Sequence, residues 1–436
     1  MNASIATDSQ LLEARQFALS GDVLKAESAY RRILDAAPEH PEALNFFALR
    51  ALGLGAHEQA VQLLERAVAG GPADAQLLNN LGNAYRSCGR FDEARGAFAR
   101  ALETAPDFFI ARLHLAHMLE RLGQSHAALV NYFGAITQAQ AKGRWLSEQT
   151  TAPMLRDLVR HAMAFVNAGR RALFEGVLAP FRAQFGDEAL RRTLHALHVY
   201  LGDEPKILAD PRQKPLFLYF PGLPTSAYID SALFEWTAQL ERNTAVIRDE
   251  LLAVLRDDRG LEPFLRFDSD DQIPKYLGGT NAKPAWDAFF FYRHGVRYDD
   301  NCARCPKTTA ILESLPLVRI GEHAPEICFS MLTPGTHILP HHGVTNIRLV
   351  THLPLIVPAN CALNVGGEVH EWKEGRCVTF DDTFEHEAWN RSDALRAVLI
   401  LDGWNPHLTQ VEREALSALI PAIGDFNKEC GIKSPN

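Results

Sequence analysis

The stretch FSMLTPGTHILPHHGVTNIRLVTHLPL (329–355) gathers its apolar and β-branched residues into short runs, with Pro, Gly and Asn between them. That is the pattern of strands bounded by turns, not of an amphipathic helix. The same texture extends outward on both sides, through EICFSML (326–332), IRLVTHLPLIV (347–357), RCVTFDD (376–382) and RAVLILDGW (396–404). Many short strands at this spacing, beginning near residue 325, predict a sandwich or jelly-roll barrel.

Three side chains in this region suggest chemistry. His341 ends one strand-like segment, His386 follows 45 residues later, and Arg396 comes ten residues after that. Two imidazoles suit Fe(II), and an arginine fork holds a carboxylate bidentately in a way lysine does not. An iron-binding facial triad would also place Asp or Glu two residues after the first histidine, and that position is Gly343. On these residues alone, either the site is a two-histidine iron centre with an extra water or it binds no metal. His342 should point to the opposite strand face from His341, and His337 receives no role.

The first third of the chain repeats with a period of 34 residues. Gly21, Gly55, Gly89 and Gly123 fall in register, as do Ala26, Ala60, Ala94 and Ala128, the prolines Pro38, Pro72 and Pro106, and the large residues Tyr30, Leu64, Phe98 and Tyr132. Glycine permits the turn between two antiparallel helices, alanine lets them approach, and proline ends the second. The unit LGNAYRSCGRFDEARGAFARALETAP (81–106) resembles a tetratricopeptide repeat. Such arrays recognise partners through a groove lined by the first helix of each pair, or serve as spacers and dimerisation surfaces. Asn79, Asn80, Asn83 and Arg86 form a polar stripe on one first helix, fit either to hold a peptide backbone or simply to be solvated. The boundaries read from the sequence are a repeat domain at 1–140, a helical cap or linker at 141–205, and a β-domain at 206–436. The run LFLYF within PRQKPLFLYFPGLP (211–224) is a strand candidate.

FSMLTPGTHILPHHGVTNIRLVTHLPL, EWKEGRCVTFDDTFEHEAWN (371–390) and LILDGWNPHLT (399–409) together resemble the aspartyl/asparaginyl β-hydroxylase family. The resemblance is densest over 325–410 and extends to the architecture, in which tetratricopeptide repeats lead into a 2-oxoglutarate oxygenase domain. It implies a multidomain α + β protein: an N-terminal α-helical solenoid, then a double-stranded β-helix (jelly-roll, cupin-like) domain. It implies Fe(II) held by His341 and His386, with Gly343 matching the family's own glycine. Ser330, Arg396 and His352 would contact the 2-oxoglutarate co-substrate, and Trp286 would line its pocket. Asp382 would orient a ligand or an iron-bound water. Val350 departs from the family, which commonly has arginine there; Arg348 lies two residues earlier on the same strand face. The implied reaction is hydroxylation of a peptide or protein side chain, at the β-carbon of Asp or Asn, with the repeats recruiting the substrate. Two other readings are a repeat adaptor with a non-catalytic β-domain, and a hydroxylase or halogenase of a small molecule such as a free amino acid.

Composition narrows the classes. A net charge of −9 argues against a general nucleic-acid binder. No apolar run approaches the roughly 20 residues of a membrane span. The opening MNASIATDSQLLEAR carries neither a basic n-region nor an apolar h-region, so no signal peptide is expected. Seven scattered cysteines suit a reducing compartment, hence a cytoplasmic protein. Cys302 and Cys305 are expected as ordinary thiols, with a local disulfide or a zinc pair as the alternatives.

Overall fold

The computed structural model describes residues 2–71, 74–257, 259–266, 270–281 and 283–432. The chain divides into two compact units, Met1–Arg170 with Phe426–Ile432, and Arg171–Asp425 with Lys433–Asn436.

In the first unit, eight helices form four antiparallel pairs: α1 (Asn2–Leu19) with α2 (Val23–Ala36), α3 (Pro41–Gly53) with α4 (His57–Ala69), α5 (Ala75–Ser87) with α6 (Phe91–Thr104), and α7 (Phe109–Arg121) with α8 (Ser125–Ala141). Gly21, Gly55, Gly89 and Gly123 take φ between +74° and +77° at the four turns. That is the left-handed conformation that closes a helix end and that a Cβ disfavours. Ala26, Ala60, Ala94 and Ala128 are fully buried, and Tyr30, Leu64, Phe98 and Tyr132 pack beside them. Each fully buried large side chain of this kind contributes roughly 1.5–3 kcal/mol. Of the register prolines, Pro72 lies outside the described residues. The linker read at 141–205 is helical without repeat spacing, as α9 (Arg156–Phe185) and α10 (Asp187–Leu201). The division between the units falls within α9.

The second unit is built on two antiparallel sheets. Its strands are β1 (Tyr228–Ile229), β2 (Glu262–Pro263), β3 (Leu277–Gly279), β4 (Trp286–Arg293), β5 (Val296–Arg297), β6 (Ile327–Leu332), β7 (Thr336–His341), β8 (Arg348–Ile356), β9 (Cys361–Val365), β10 (Glu368–Glu371), β11 (Val378–Phe380), β12 (His386–Asn390) and β13 (Arg396–Trp404). The larger sheet runs β1-β11-β8-β13-β6-β4-β2, with β5 on β4; the smaller runs β10-β9-β12-β7-β3. Consecutive strands from β6 onward enter the two sheets in jelly-roll order, with β6-β13-β8-β11 facing β7-β12-β9-β10. This is the double-stranded β-helix. Its inner core joins Phe290, Cys328, Val398 and Ile400 of the large sheet to Ile338, Leu363, Val365 and Ala388 of the small one. The outer face of the large sheet, with Phe289, Phe291, Phe329 and Leu399, is covered by α11 (Thr237–Arg242), α12 (Thr244–Val254), α13 (Asp299–Arg304) and α14 (Pro306–Glu313).

The sequence expectation of a strand at 216–220 is not met. The segment runs beside the sheets through isolated bridges at Gln213↔Phe384 and Leu218↔Thr345, and its Phe220 backbone is held by Asn346. Cys302 and Cys305 are buried free thiols, and burial pushes the Cys305 thiol up to about 12. No helix among the described residues is long and apolar enough to cross a membrane.

A two-histidine chamber between the sheets

Strand alternation decides what faces the chamber. On the large sheet, Ser330, His352 and Arg396 share the inner face with Cys328, Val350 and Val398. On the small sheet Ile338 faces inward, so simple alternation would turn His341, three residues on, outward. The pairing of β7 with β12 slips by one residue between His386↔His341 and Ala388↔Ile338. This bulge brings His341 back to the inner side, opposite His386. The two imidazole centroids lie 4.0 Å apart.

Each ring is locked in one tautomer. His341 Nδ1 donates to the Leu339 carbonyl at 2.8 Å, and His386 Nδ1 to the Phe384 carbonyl at 3.1 Å. Both Nε2 lone pairs are left for a ligand, the arrangement a metal-binding histidine needs. Burial keeps both rings neutral, pushing His386 down to about 3. His342 points away, with Nδ1 on the Thr383 carbonyl, and His337 pairs with Glu387 at 2.7 Å.

Gly343 has a spatial explanation. A Cβ there would overlap the carboxylate of Asp382. Asp382 therefore fills the volume that a side chain two residues after His341 would take. Its Oδ1 is buried without a hydrogen-bond partner, and burial raises the carboxyl to about 7 against the pull of Arg348. Arg348 bridges from Asp402, 2.6 Å from its Oδ1, toward Asp382 Oδ2 at 3.6 Å. The arginine absent at Val350 thus has a neighbour on the same face, already engaged by two carboxylates. Asp381 serves the fold instead, accepting from Gln213 and from Thr383.

Arg396 is 1% exposed, and no carboxylate among the described residues lies within ion-pair distance of it. Its Nη1 reaches the Ser330 carbonyl at 3.4 Å, its guanidinium lies 4.9 Å from the Trp372 ring, and its Nε is unpartnered. Burial alone brings it down to about 10. A buried cation without a counter-ion is a site for an anion. His352 sits close by, with its Nδ1 unpartnered and its ring held neutral by burial and then by Arg396. Trp286 joins the two halves: its Nε1 donates to Ser330 Oγ at 2.9 Å, and its ring lies 6.5 Å from His341 and 3.9 Å from Phe264.

All seven side chains expected from the sequence thus line one chamber, and the donor set fits Fe(II) and a dicarboxylate. Reading the sequence missed Trp372 and Phe264. Trp372 lies 5.9 Å from His352 and keeps an unpartnered buried Nε1, yet in EWKEGR it reads as one aromatic in a charged turn. Between the first helices of the repeats, Asn80 donates to Asn45, and Asn79 bonds His114, each 35 residues away. These two asparagines link successive first helices, while Asn83 and Arg86 are half-buried, with Arg86 Nη2 donating to Asn83 Oδ1 at 3.0 Å.

Both parts of the chain are similar to known families. The aspartyl/asparaginyl β-hydroxylase family model matches residues 241–406, and tetratricopeptide-repeat models match 11–75 and 51–122. The human aspartyl/asparaginyl beta-hydroxylase is 30% identical over 373 residues, covering 84% of this chain and 43% of that protein. The ornithine lipid ester-linked acyl 2-hydroxylase of Rhizobium tropici is 34% identical over 180 residues, 41% of this chain and 60% of that one. Among solved structures, MamA is similar at 19% identity and a TM-score of 0.31, covering 47% of this chain and 98% of that one. This chain spans less than half the length of the human relative. It carries a C-terminal aspartyl/asparaginyl β-hydroxylase domain preceded by tetratricopeptide repeats.

Proposed function

We propose that the protein is an Fe(II)- and 2-oxoglutarate-dependent dioxygenase that hydroxylates a peptide or protein side chain, at the β-carbon of Asp or Asn. The observation that carries this reading is Arg396, a buried guanidinium without a carboxylate, in the same chamber as two histidines with free Nε2 atoms. Iron with 2-oxoglutarate supplies oxidative chemistry: dioxygen and the oxo-acid are consumed, and succinate, CO2 and a hydroxylated carbon result.

The chain's own residues bind and orient. His341 and His386 would hold the metal through Nε2, since each Nδ1 is taken by a backbone carbonyl. Arg396, with Trp372 beneath it, receives the distal carboxylate, and Trp286 keeps Ser330 Oγ aimed at the same end. His352 has an unpartnered Nδ1 that, protonated, would donate to a co-substrate oxygen. Asp382, held near Arg348, has an unpaired Oδ1 that would accept from a water or a substrate N–H. The sheets exclude bulk water around these groups. Asn83, Arg86 and the groove they border would recruit the polypeptide substrate. The free cysteines suit a cytoplasmic setting.

A second reading keeps the chemistry and changes the substrate. The Rhizobium relative is named as an acyl hydroxylase, so a small molecule or lipid remains a test arm. A non-catalytic adaptor is disfavoured by the intact chamber. The first experiment is anaerobic titration of Fe(II)-loaded protein with 2-oxoglutarate, following the visible charge-transfer band. A band lost in His341→Ala and His386→Ala, and weakened in Arg396→Ala, supports the reading. Absence of the band from folded, iron-supplied protein rejects it. Succinate formation with peptides, free amino acids and lipids then separates the substrate classes.

A further inference from the structure

We propose that the last repeat carries a second divalent-metal site, formed by His117, Glu120 and His161, that takes a zinc-class first-row cation. His117 and Glu120 lie one turn apart on α7, on the same helical face. His161 comes from the start of α9. Each of the three offers a ligand atom within 4.8 Å of the other two. Donors around a tetrahedral zinc stand roughly 3.3 Å apart, given bonds of about 2.0–2.1 Å, so closure needs side-chain shifts of about an ångström.

The cluster is built, not a chance meeting of surface groups. His161 Nε2 lies 2.9 and 2.8 Å from the two Glu120 oxygens. Tyr132, fully buried on α8, donates to Glu120 Oε2 at 2.8 Å and accepts from His117 Nδ1 at 3.2 Å. A buried phenol that fixes the carboxylate is the outer partner that metal ligands commonly have. Burial pushes the Glu120 carboxyl up, but the bonds from His161 and Tyr132 outweigh it and hold the group ionised. Burial also holds His117 in its neutral, ligand form. The side chains of His117, Glu120 and His161 are 29%, 24% and 47% exposed, so one side stays open for a water or a fourth ligand. Two imidazoles and one carboxylate suit zinc, cobalt or nickel and not magnesium or calcium. A bound ion would tie α9 to the final helix pair and cap the array.

The test counts metal on the full-length chain by anaerobic Co(II) titration, reading the visible ligand-field bands. Wild type should bind two equivalents, and His117→Asn/His161→Asn one. His341→Ala/His386→Ala should also bind one, keeping the band that the first double variant lacks. Glu120→Gln, nearly isosteric, should weaken Zn(II) binding in the His341→Ala/His386→Ala background at least about tenfold. It should also abolish the zinc-dependent rise in melting temperature there. Undiminished stoichiometry in the His117/His161 variant, or undiminished affinity in Glu120→Gln, overturns the proposal and leaves the trio as a hydrogen-bonded cluster. The Glu120→Gln arm decides the matter should the double variant fail to fold.

Discussion

At the scale of single residues, the pairing of Gly343 with Asp382 has the sharpest consequences. The carboxylate stands where a side chain at 343 would be, so Gly343→Ala should displace it and move the strand that bears His341. Gly343→Ala is expected to lose Fe(II) binding, whereas Gly343→Ala/Asp382→Gly, which restores the volume, should recover the far-ultraviolet spectrum and part of the iron affinity. Equal iron affinity in Gly343→Ala and wild type would refute the steric account. The sequence showed the glycine and showed Asp382 four residues before a ligand, but nothing in either neighbourhood relates the two. They are 39 positions apart, and their meeting is a tertiary fact. Trp372 was hidden for the same reason: it follows β10 in a turn, and its partners, His352 and Arg396, come from β8 and β13.

At the scale of elements, what repeats or alternates was legible, and what breaks the pattern was not. The 34-residue register placed four helix pairs, because every copy must solve the same turn and the same close approach. RAVLILDGW became β13 over Arg396–Trp404, whose apolar centre Ala397–Leu401 is the kind of run a strand buried on both faces sustains. The bulge in β7 left no such trace, although it alone turns His341 inward. LFLYF misled because apolar content signals burial, and burial here comes from packing beside the sheets with Asn346 satisfying the backbone. A prediction belongs here too. Gly82 lies in the middle of α5 with the Phe98 ring 2.5 Å from where its Cβ would be. Gly82→Ala improves helix propensity yet should destabilise the helical unit by roughly 1–3 kcal/mol through overpacking. Chemical denaturation followed by helical circular dichroism checks it, and a stabilised variant would contradict it.

At the scale of the whole molecule, stability should depend on pH through a buried acid remote from the metal ligands. Glu326 is pushed up to about 7, chiefly by burial, although the His294 backbone N–H lies 3.0 Å from its carboxylate. Its ordinary value is 4.5. Between those values the folded state binds more protons than the unfolded one, so rising pH removes stability. The loss is absent below the ordinary value and complete above about 7, amounting to about 3 kcal/mol. Glu326→Gln should therefore gain on wild type in denaturant midpoint of the β-sheet unit as pH rises from 5 to 8. A difference that stays constant with pH would count against it. The two units have separate cores, so their transitions should be followed with separate probes.

Arg396 carries a further consequence. A guanidinium sealed between sheets without an opposing charge weakens the fold that holds it, for desolvation is unrelieved until an anion arrives. The centre of the barrel holds a residue that a methionine would replace to the benefit of the resting protein. Arg396→Met should melt above wild type when no dicarboxylate is present and fall behind once 2-oxoglutarate is added. Robustness and activity are in opposition at that one position, and a search for hardier variants would select against the very group that makes the chamber useful.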